Sequence, residues 1–89
     1  MRRVHCIVSG RVQGVWFRGA TEERMRALGL AGWVRNLADG SVEAVLEGDE
    51  SSVADGIAFL HRGPPGARVT LVEVRDEPAK GERGFEVRR

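Results

Sequence analysis

The sequence predicts an α+β fold with the order strand, helix, strand, strand, helix, strand and a short fifth strand. Two observations carry this prediction. The hydrophobic period switches along the chain between two and about 3.6 residues, and turns rich in glycine and proline separate the resulting segments. With 89 residues, the chain is large enough for one core and too short for two, so we expect a single domain over residues 1–89.

The first strand and the first helix are predicted on either side of a glycine loop. Apolar residues alternate over Arg3–Ser9, as expected of a strand with one buried face. A loop over Gly10–Gly14 leads to Phe17–Leu28, where apolar residues recur at helical spacing and charged residues occupy the other face. Gly29 is expected to end this helix because glycine adopts a left-handed backbone at low cost.

Two further strands, Gly32–Leu37 and Ser41–Glu47, are predicted to form a β-hairpin. The residues between them include Asp39-Gly40, a dipeptide typical of hairpin turns. The two strands should therefore run antiparallel.

A second helix is predicted to begin after Asp49, which is a favourable capping residue, and to continue through about Arg62. Apolar residues recur along this segment at i, i+4 and i+7, as expected of one inward face. The segment Gly63-Pro64-Pro65-Gly66 is expected to end the helix.

The remaining strands complete the arrangement. Ala67–Asp76 alternates like a strand, but the phase changes between Val69 and Val72, so we expect an irregularity there. After a charged loop, Gly84–Arg88 is predicted to form the short final strand. This order is that of a ferredoxin-like sandwich: a four-stranded antiparallel sheet, plus the short fifth strand, with two helices on one face.

Composition and charge exclude several classes of protein. The net charge of +1 gives no strong field for nucleic acid or anionic lipid. No apolar run is long enough for a membrane helix, and no segment has the pattern of a signal peptide. A single cysteine, Cys6, forms no intrachain disulfide and fits a reducing compartment. We expect a cytoplasmic monomer without a nucleic-acid or membrane partner.

The segment between the first strand and the first helix predicts an anion site. Gly10 and Gly14 allow a tight turn in which consecutive backbone N–H groups point at one spot, and the start of the helix adds further free N–H groups. Arg18 falls in the first helical turn, where a cation is unfavourable with the helix dipole unless an anion lies between them. The alternative is a plain turn with Arg18 on the surface, and spacing alone does not separate the two.

Asn36 is the second candidate, because asparagine is disfavoured in strands and occurs at no other position of this chain. It could be an ordinary turn residue of the hairpin. In the predicted topology, however, the first and second strands run in the same direction, so their ends share one sheet edge. They are two strand spacings apart, about 10 Å, so a phosphate bound by the loop and Arg18 would lie within reach of a water held by Asn36.

These segments together resemble the acylphosphatase family. The signature loop of the family is similar to Gly10-Arg11-Val12-Gln13-Gly14-Val15-x-Phe17-Arg18, and its second motif is similar to Gly32-x-Val34-x-Asn36-x-x-Asp39-Gly40-x-Val42-Glu43. The helix-to-strand joint of the family is similar to Gly63-Pro64-Pro65-Gly66-Ala67-Arg68-Val69. The resemblance covers essentially the whole chain.

The resemblance implies hydrolysis of acyl phosphates to a carboxylate and inorganic phosphate, without metal or cofactor. It implies that Arg18 binds the phosphate and that Asn36 orients the attacking water. The implied backbone phosphate loop consists of Arg11, Val12, Gln13, Gly14 and Val15.

Other candidate residues point to no second chemistry. His5, Cys6 and His61 show no tetrahedral spacing, and adjacent His5 and Cys6 point to opposite faces of a strand, so we expect no metal site. Trp16 and Trp33 could cover the site or simply pack, and packing in the core or in a half-buried position is the default expectation.

Two other functions use the same fold. One is an RNA-binding module that stacks bases on the sheet, although no strand here has an aromatic-rich, basic pattern. The other is a non-catalytic, acylphosphatase-like accessory domain of a carbamoyl-transfer system.

Overall fold

The computed structural model describes all 89 residues and contains the predicted elements in the predicted order. Their bounds are β1 Arg2–Arg11, α1 Phe17–Ala27, β2 Ala31–Asn36, β3 Val42–Gly48, α2 Glu50–Arg62, β4 Arg68–Glu77 and β5 Phe85–Val87. At most of the element ends, the observed bound differs from the predicted one by one or two residues. Neither helix has the length and apolar character that crossing a membrane requires.

The five strands form one sheet in the order β4-β1-β3-β2-β5. The four long strands pair antiparallel throughout, as predicted. The short fifth strand instead runs parallel to β2, with Phe85 opposite Gly32 and Val87 opposite Val34, so the sheet is mixed. Because β1, β2 and β5 run in the same direction, their C-terminal ends lie at the same edge of the sheet.

Both helices cover one face of the sheet, and the core lies between. Alternate residues of the strands point into it and meet the apolar stripes of α1 and α2, as the period-two and period-3.6 patterns require. The core cluster comprises Val4, Cys6, Val8, Val12, Phe17, Ala20, Met25, Leu30, Val34, Val42, Ala44, Leu46, Val53, Phe59, Leu60 and Phe85. Cys6 is fully buried, and burial raises the pKa of its thiol to about 12, in keeping with a small core residue.

The irregularity predicted in the fourth strand is a β-bulge. Ser9 lies opposite Leu71 and Gly10 lies opposite Val69, so Thr70 is the extra residue. Gly10 has φ +125°, and a Cβ at this position would lie 2.1 Å from the Arg68 carbonyl oxygen, so only glycine fits. The bulge therefore changes the pairing of β1 with β4 just before β1 ends and the Val12–Trp16 loop begins.

The predicted helix ends are found at the expected residues, with one correction. Gly29 follows α1 with φ +72°, the left-handed conformation expected of a C′ glycine. Asp49 occupies the N-cap position of α2, but its side chain makes no capping hydrogen bond. Its backbone carbonyl accepts from the Val53 N–H at 2.9 Å, and its side chain contributes through its charge, which favours the positive end of the helix dipole.

A buried ionic cluster lies at the sheet edge opposite to the C-terminal ends of β1, β2 and β5. Arg3 and Glu47 face each other across β1 and β3 and are only 4% and 3% exposed. The Arg3 guanidinium donates to Glu47 at 3.1 Å, to Glu77 at 3.0 Å and to Glu82 at 2.9 Å. A buried guanidinium with three carboxylate partners ties the segment before β5 to the sheet.

Glu47 also accepts three backbone hydrogen bonds, from the N–H groups of Lys80, Gly81 and Glu82 at 3.1, 2.7 and 3.2 Å. Burial by itself raises the pKa of Glu47. The hydrogen bonds from Lys80, Arg3, Gly81 and Glu82 outweigh burial and hold the pKa below its ordinary value.

We expect this cluster to make folding sensitive to acid. A carboxyl whose pKa is lowered by folding stabilises the native state above its unfolded pKa of about 4.3, and that stabilisation is lost as the pH falls through the lower folded pKa. Urea unfolding between pH 7 and pH 3 should show this loss. Glu47→Gln should lower the free energy of unfolding at pH 7 by about 2 kcal/mol and flatten its pH dependence.

Glu86→Gln is the matched control, because Glu86 pairs with Arg88 on the surface, where an ion pair contributes about 0–1 kcal/mol. An unchanged pH dependence in Glu47→Gln would show that the cluster does not govern acid unfolding.

Candidate active site

A cleft of about 520 Å³ opens at the sheet edge where β1, β2 and β5 end. It is lined by Val12, Gln13, Gly14, Trp16, Phe17, Arg18, Gly19, Asn36, Val87 and Arg89. Two arginines and no acidic side chain are among these residues. The cleft is therefore suited to an anion and not to a cation.

The loop that follows β1 forms one wall of the cleft. Gly14 has φ +75°, which turns the chain back toward the helix. No backbone N–H group from Val12 to Gly19 donates to a protein acceptor. Consecutive free N–H groups beside the positive end of a helix form an anion-binding concavity.

Arg18 is the second residue of α1, and its side chain lines the cleft. It takes part in none of the ion pairs of the structure. The first turn of α1 also contains no acidic residue, so nothing in the protein offsets the unfavourable interaction between this cation and the helix dipole. The guanidinium is thus available for an anion in the cleft.

Asn36 is the last residue of β2 and lies opposite Val42. It lines the same cleft as Arg18, as the strand directions predict. Its Oδ1 atom is buried and has no hydrogen-bond partner. A half-turn about χ2 exchanges Oδ1 and Nδ2, so the carboxamide can present either an acceptor or a donor to the cleft.

Gln13 joins the loop to the hairpin that carries Asn36. Its Nε2 donates to the carbonyl oxygens of Leu37 at 2.8 Å and Ser41 at 2.9 Å. Both acceptors belong to the β2–β3 turn, where Ser41 in turn bonds to the Asp39 carboxylate. The Gln13 side chain therefore sets the position of the anion loop relative to Asn36, a role that the sequence analysis did not predict.

Gln13→Ala should lower turnover roughly tenfold to a hundredfold, because it frees the loop to shift relative to Asn36. It should also lower the free energy of unfolding by about 2 kcal/mol, since two hydrogen bonds are lost. Steady-state kinetics and urea unfolding measure the two effects. Gln13→Glu is the isosteric control, because a carboxylate cannot donate to carbonyl oxygens. Wild-type turnover in Gln13→Glu would contradict the role of Gln13 in positioning the loop relative to Asn36.

Of the residues predicted for the loop, Val12, Gln13 and Gly14 line the cleft directly. Arg11 is the last residue of β1, opposite Arg68, and the side chain of Val15 packs against the core. The free N–H groups continue into the first turn of α1 as far as Gly19, as expected of the start of a helix.

Arg89 and Val87 line the cleft although the sequence analysis assigned neither to it. The parallel register places Val87 opposite Val34, and extending it by two residues places position 89 beside Asn36. The sequence indicated this placement only weakly, because the alternation within the three residues of β5 does not indicate which strand β5 pairs with. Arg89 thus brings a second positive charge to the cleft.

Trp16 combines exposure with an unusual backbone. It is the N-cap residue of α1 and the only non-glycine residue with positive φ, at 62°. The left-handed conformation costs an L-residue roughly 1 kcal/mol. Its side chain is 63% exposed at the rim of the cleft, so Trp16 neither packs in the core nor lies half-buried, which was the expected default.

The sheet face away from the helices carries Trp33, with Arg35 at 5.3 Å and Arg88 at 4.8 Å from its ring. On the same face, Glu43 accepts from Arg35 and from His5. Burial by itself raises the pKa of Glu43, but these two hydrogen bonds hold it below its ordinary value. The structure contains no group of three or more His, Cys, Asp or Glu residues placed to hold a metal ion.

The fold and the cleft define a class of protein: a ferredoxin-like α+β domain with an arginine-lined cleft at one sheet edge. The profile of the acylphosphatase family matches residues 4–87 of this chain. An acylphosphatase of Rubrobacter xylanophilus is 59% identical over 88 residues, which span 98% of this chain and 80% of that protein. The chain therefore belongs to the acylphosphatase family.

Solved structures agree with this assignment. The crystal structure of an acylphosphatase from Bacillus subtilis matches with a TM-score of 0.97 and 34% identity over 100% of both chains. HypF of T. kodakarensis matches with a TM-score of 0.86 and 34% identity, over 100% of this chain and 12% of that one. The same domain therefore also occurs within much longer proteins.

Proposed function

We propose that Arg18, the free N–H groups from Val12 to Gly19, and Asn36 carry out the hydrolysis of acyl phosphates that family membership assigns to this chain. The observation that carries this proposal is the convergence of an unpaired guanidinium and unpaired backbone N–H groups on one cleft that no Asp or Glu side chain lines. A phosphoryl group is the small anion whose charge and several oxygens match such a set of donors.

The chemistry requires few protein groups because a carboxylate is a good leaving group. Water attacks phosphorus in line, the new P–O bond forms, and the bond between phosphorus and the acyl oxygen breaks with its electron pair on the departing carboxylate. No general acid is needed to protonate that group. The remaining requirements are placement of the water and stabilisation of the equatorial phosphoryl oxygens.

Each site group meets one of these requirements. Arg18 provides a planar pair of donors, and the backbone N–H groups provide fixed dipoles, so charge developing on the phosphoryl oxygens is stabilised without reorganisation. Asn36 orients the water through its carboxamide. It has no pKa that would let it act as a base, so the water proton passes to a phosphate oxygen or to solvent.

We also propose that one copy of the chain suffices for activity, because Arg18, the loop after β1 and Asn36 already line one cleft and between them cover the roles the reaction requires. The proposal involves no cofactor and no metal. The substrate and the released inorganic phosphate are its only small-molecule partners.

Phosphate release from acetyl phosphate and benzoyl phosphate, measured with EDTA present, tests the proposed function. We expect turnover that is unaffected by EDTA and is inhibited competitively by inorganic phosphate. Absence of hydrolysis by folded protein would contradict the proposal, and loss of activity on chelation would contradict its metal-independent form. Size-exclusion chromatography of the active protein tests whether one copy suffices.

A further inference from the structure

Trp16 lies at the rim of the cleft with an exposed side chain and a left-handed backbone, and packing explains neither. Four large apolar residues are exposed in this structure, namely Met1, Trp16, Leu71 and Val74. Of these, only Trp16 lines the cleft. It is also the only non-glycine residue in a left-handed conformation, and such backbone outliers cluster at sites that bind or react.

The indole ring lies across the first turn of α1, above Gly19. A Cβ built on Gly19 would come within 2.0 Å of the Trp16 Nε1 atom. Any other residue at position 19 would therefore push the ring away from its present place. The absence of a side chain at Gly19 leaves room for the indole beside Arg18 and the anion loop.

The ring also separates the cleft from a second groove, of about 410 Å³, between α1 and the end of α2. The apolar part of that groove is formed by Trp16 with Ala20, Ala27, Phe59, Pro64 and Pro65, and the charged residues Glu23, Arg24 and Arg62 also line it. Asn36 borders the cleft from the end of β2, whereas Trp16 borders it from the start of α1. In-line attack places the leaving group opposite the water, and hence away from Asn36, toward the indole and this groove.

We propose that the Trp16 ring is the contact surface for the acyl group of the substrate, so that the enzyme favours acyl phosphates with aromatic or extended apolar acyl groups. This inference rests on the proposed function and adds a specificity-determining residue to it. Arg18 and the backbone N–H groups bind the phosphoryl group that all substrates share, whereas Trp16 contacts the part that differs between them.

The test compares benzoyl phosphate with acetyl phosphate in wild type, Trp16→Asn and Trp16→Phe. Asparagine tolerates the left-handed backbone and removes the ring, whereas phenylalanine keeps an aromatic surface. Trp16→Asn should raise KM for benzoyl phosphate about threefold to tenfold and leave KM for acetyl phosphate nearly unchanged. Trp16→Phe should restore most of the difference, and inhibition by inorganic phosphate should be the same in all three proteins.

The other tryptophan supplies the control and a direct reading of binding. Trp33→Phe alters the face away from the helices and should leave both KM values unchanged. Trp16 is then the only tryptophan of the chain. Its fluorescence emission should change on titration with phenylphosphonate and should not change with methylphosphonate.

Three outcomes would overturn the inference: equal changes in KM for both substrates in Trp16→Asn, no change for either, or emission of Trp16 that phenylphosphonate leaves unaltered. Failure of the proposed function looks different, because wild-type protein would then hydrolyse neither substrate. The phenylphosphonate titration would still report whether the ring meets the group attached to phosphorus.

Discussion

Replacing Arg18 with alanine should lower kcat/KM about a thousandfold or more, the magnitude attached to a guanidinium that stabilises a transferring phosphoryl group. Competitive inhibition by inorganic phosphate should weaken in parallel, because the same guanidinium binds phosphate in the ground state. Steady-state hydrolysis of benzoyl phosphate and its inhibition by phosphate measure the two effects. The cleft offers Arg89 as a second cation, so phosphate affinity should fall without vanishing.

Arg18→Lys separates charge from geometry. A lysine ammonium is a point charge and cannot reproduce the planar fork of the guanidinium, so we expect activity closer to that of Arg18→Ala than to wild type. Arg75→Ala is the matched control, since Arg75 lies near the C-terminal end of the edge strand β4, outside the cleft, and is exposed. Near-normal turnover in Arg18→Ala would remove the central element of the proposed mechanism.

Replacing Asn36 with alanine should separate turnover from phosphate binding. We expect kcat to fall on the order of a hundredfold, because the water is no longer held in line, while the inhibition constant of phosphate stays within about twofold of wild type. The physical reason is that Asn36 meets the nucleophile and not the phosphoryl oxygens. An interaction made only in the transition state lowers kcat and leaves ground-state binding intact.

The outcome that contradicts this role for Asn36 is equal loss of turnover and phosphate affinity, which would make it a phosphate ligand. Circular dichroism and urea unfolding of Asn36→Ala exclude a trivial loss of fold. Removal of its unpaired, buried Oδ1 should leave stability unchanged or slightly raised, since that atom has no protein partner to lose.

Much of the fold was predictable because its signals are local. The phase change between Val69 and Val72 indicated the bulge at Thr70, and Gly29 marked the end of α1. The convergence of Arg18 and Asn36 on one cleft followed from strand direction, which the βαββαβ order determines. In each case a short stretch of sequence carries the physical constraint.

The features that were not predicted depend on partners distant in the chain. The Gln13 side chain finds its acceptors 24 and 28 residues away, and Arg3 meets Glu82 at a separation of 79 residues. Neither pairing leaves a periodic signal. The parallel direction of β5 and the place of Arg89 beside Asn36 likewise depend on how the 78–84 segment crosses the sheet, and alternation within three residues does not encode that path.

The segment Lys80–Glu82 and the loop after β1 both present consecutive main-chain N–H groups, at opposite ends of the same sheet. At one end, successive main-chain amides close around the carboxylate of Glu47, an anion that the chain itself supplies. At the other end, an equivalent row of amides is left without an internal counterpart. The domain thus uses one row of amides to fix its own carboxylate, and in the proposed reaction the other row binds and releases an external anion at every turnover.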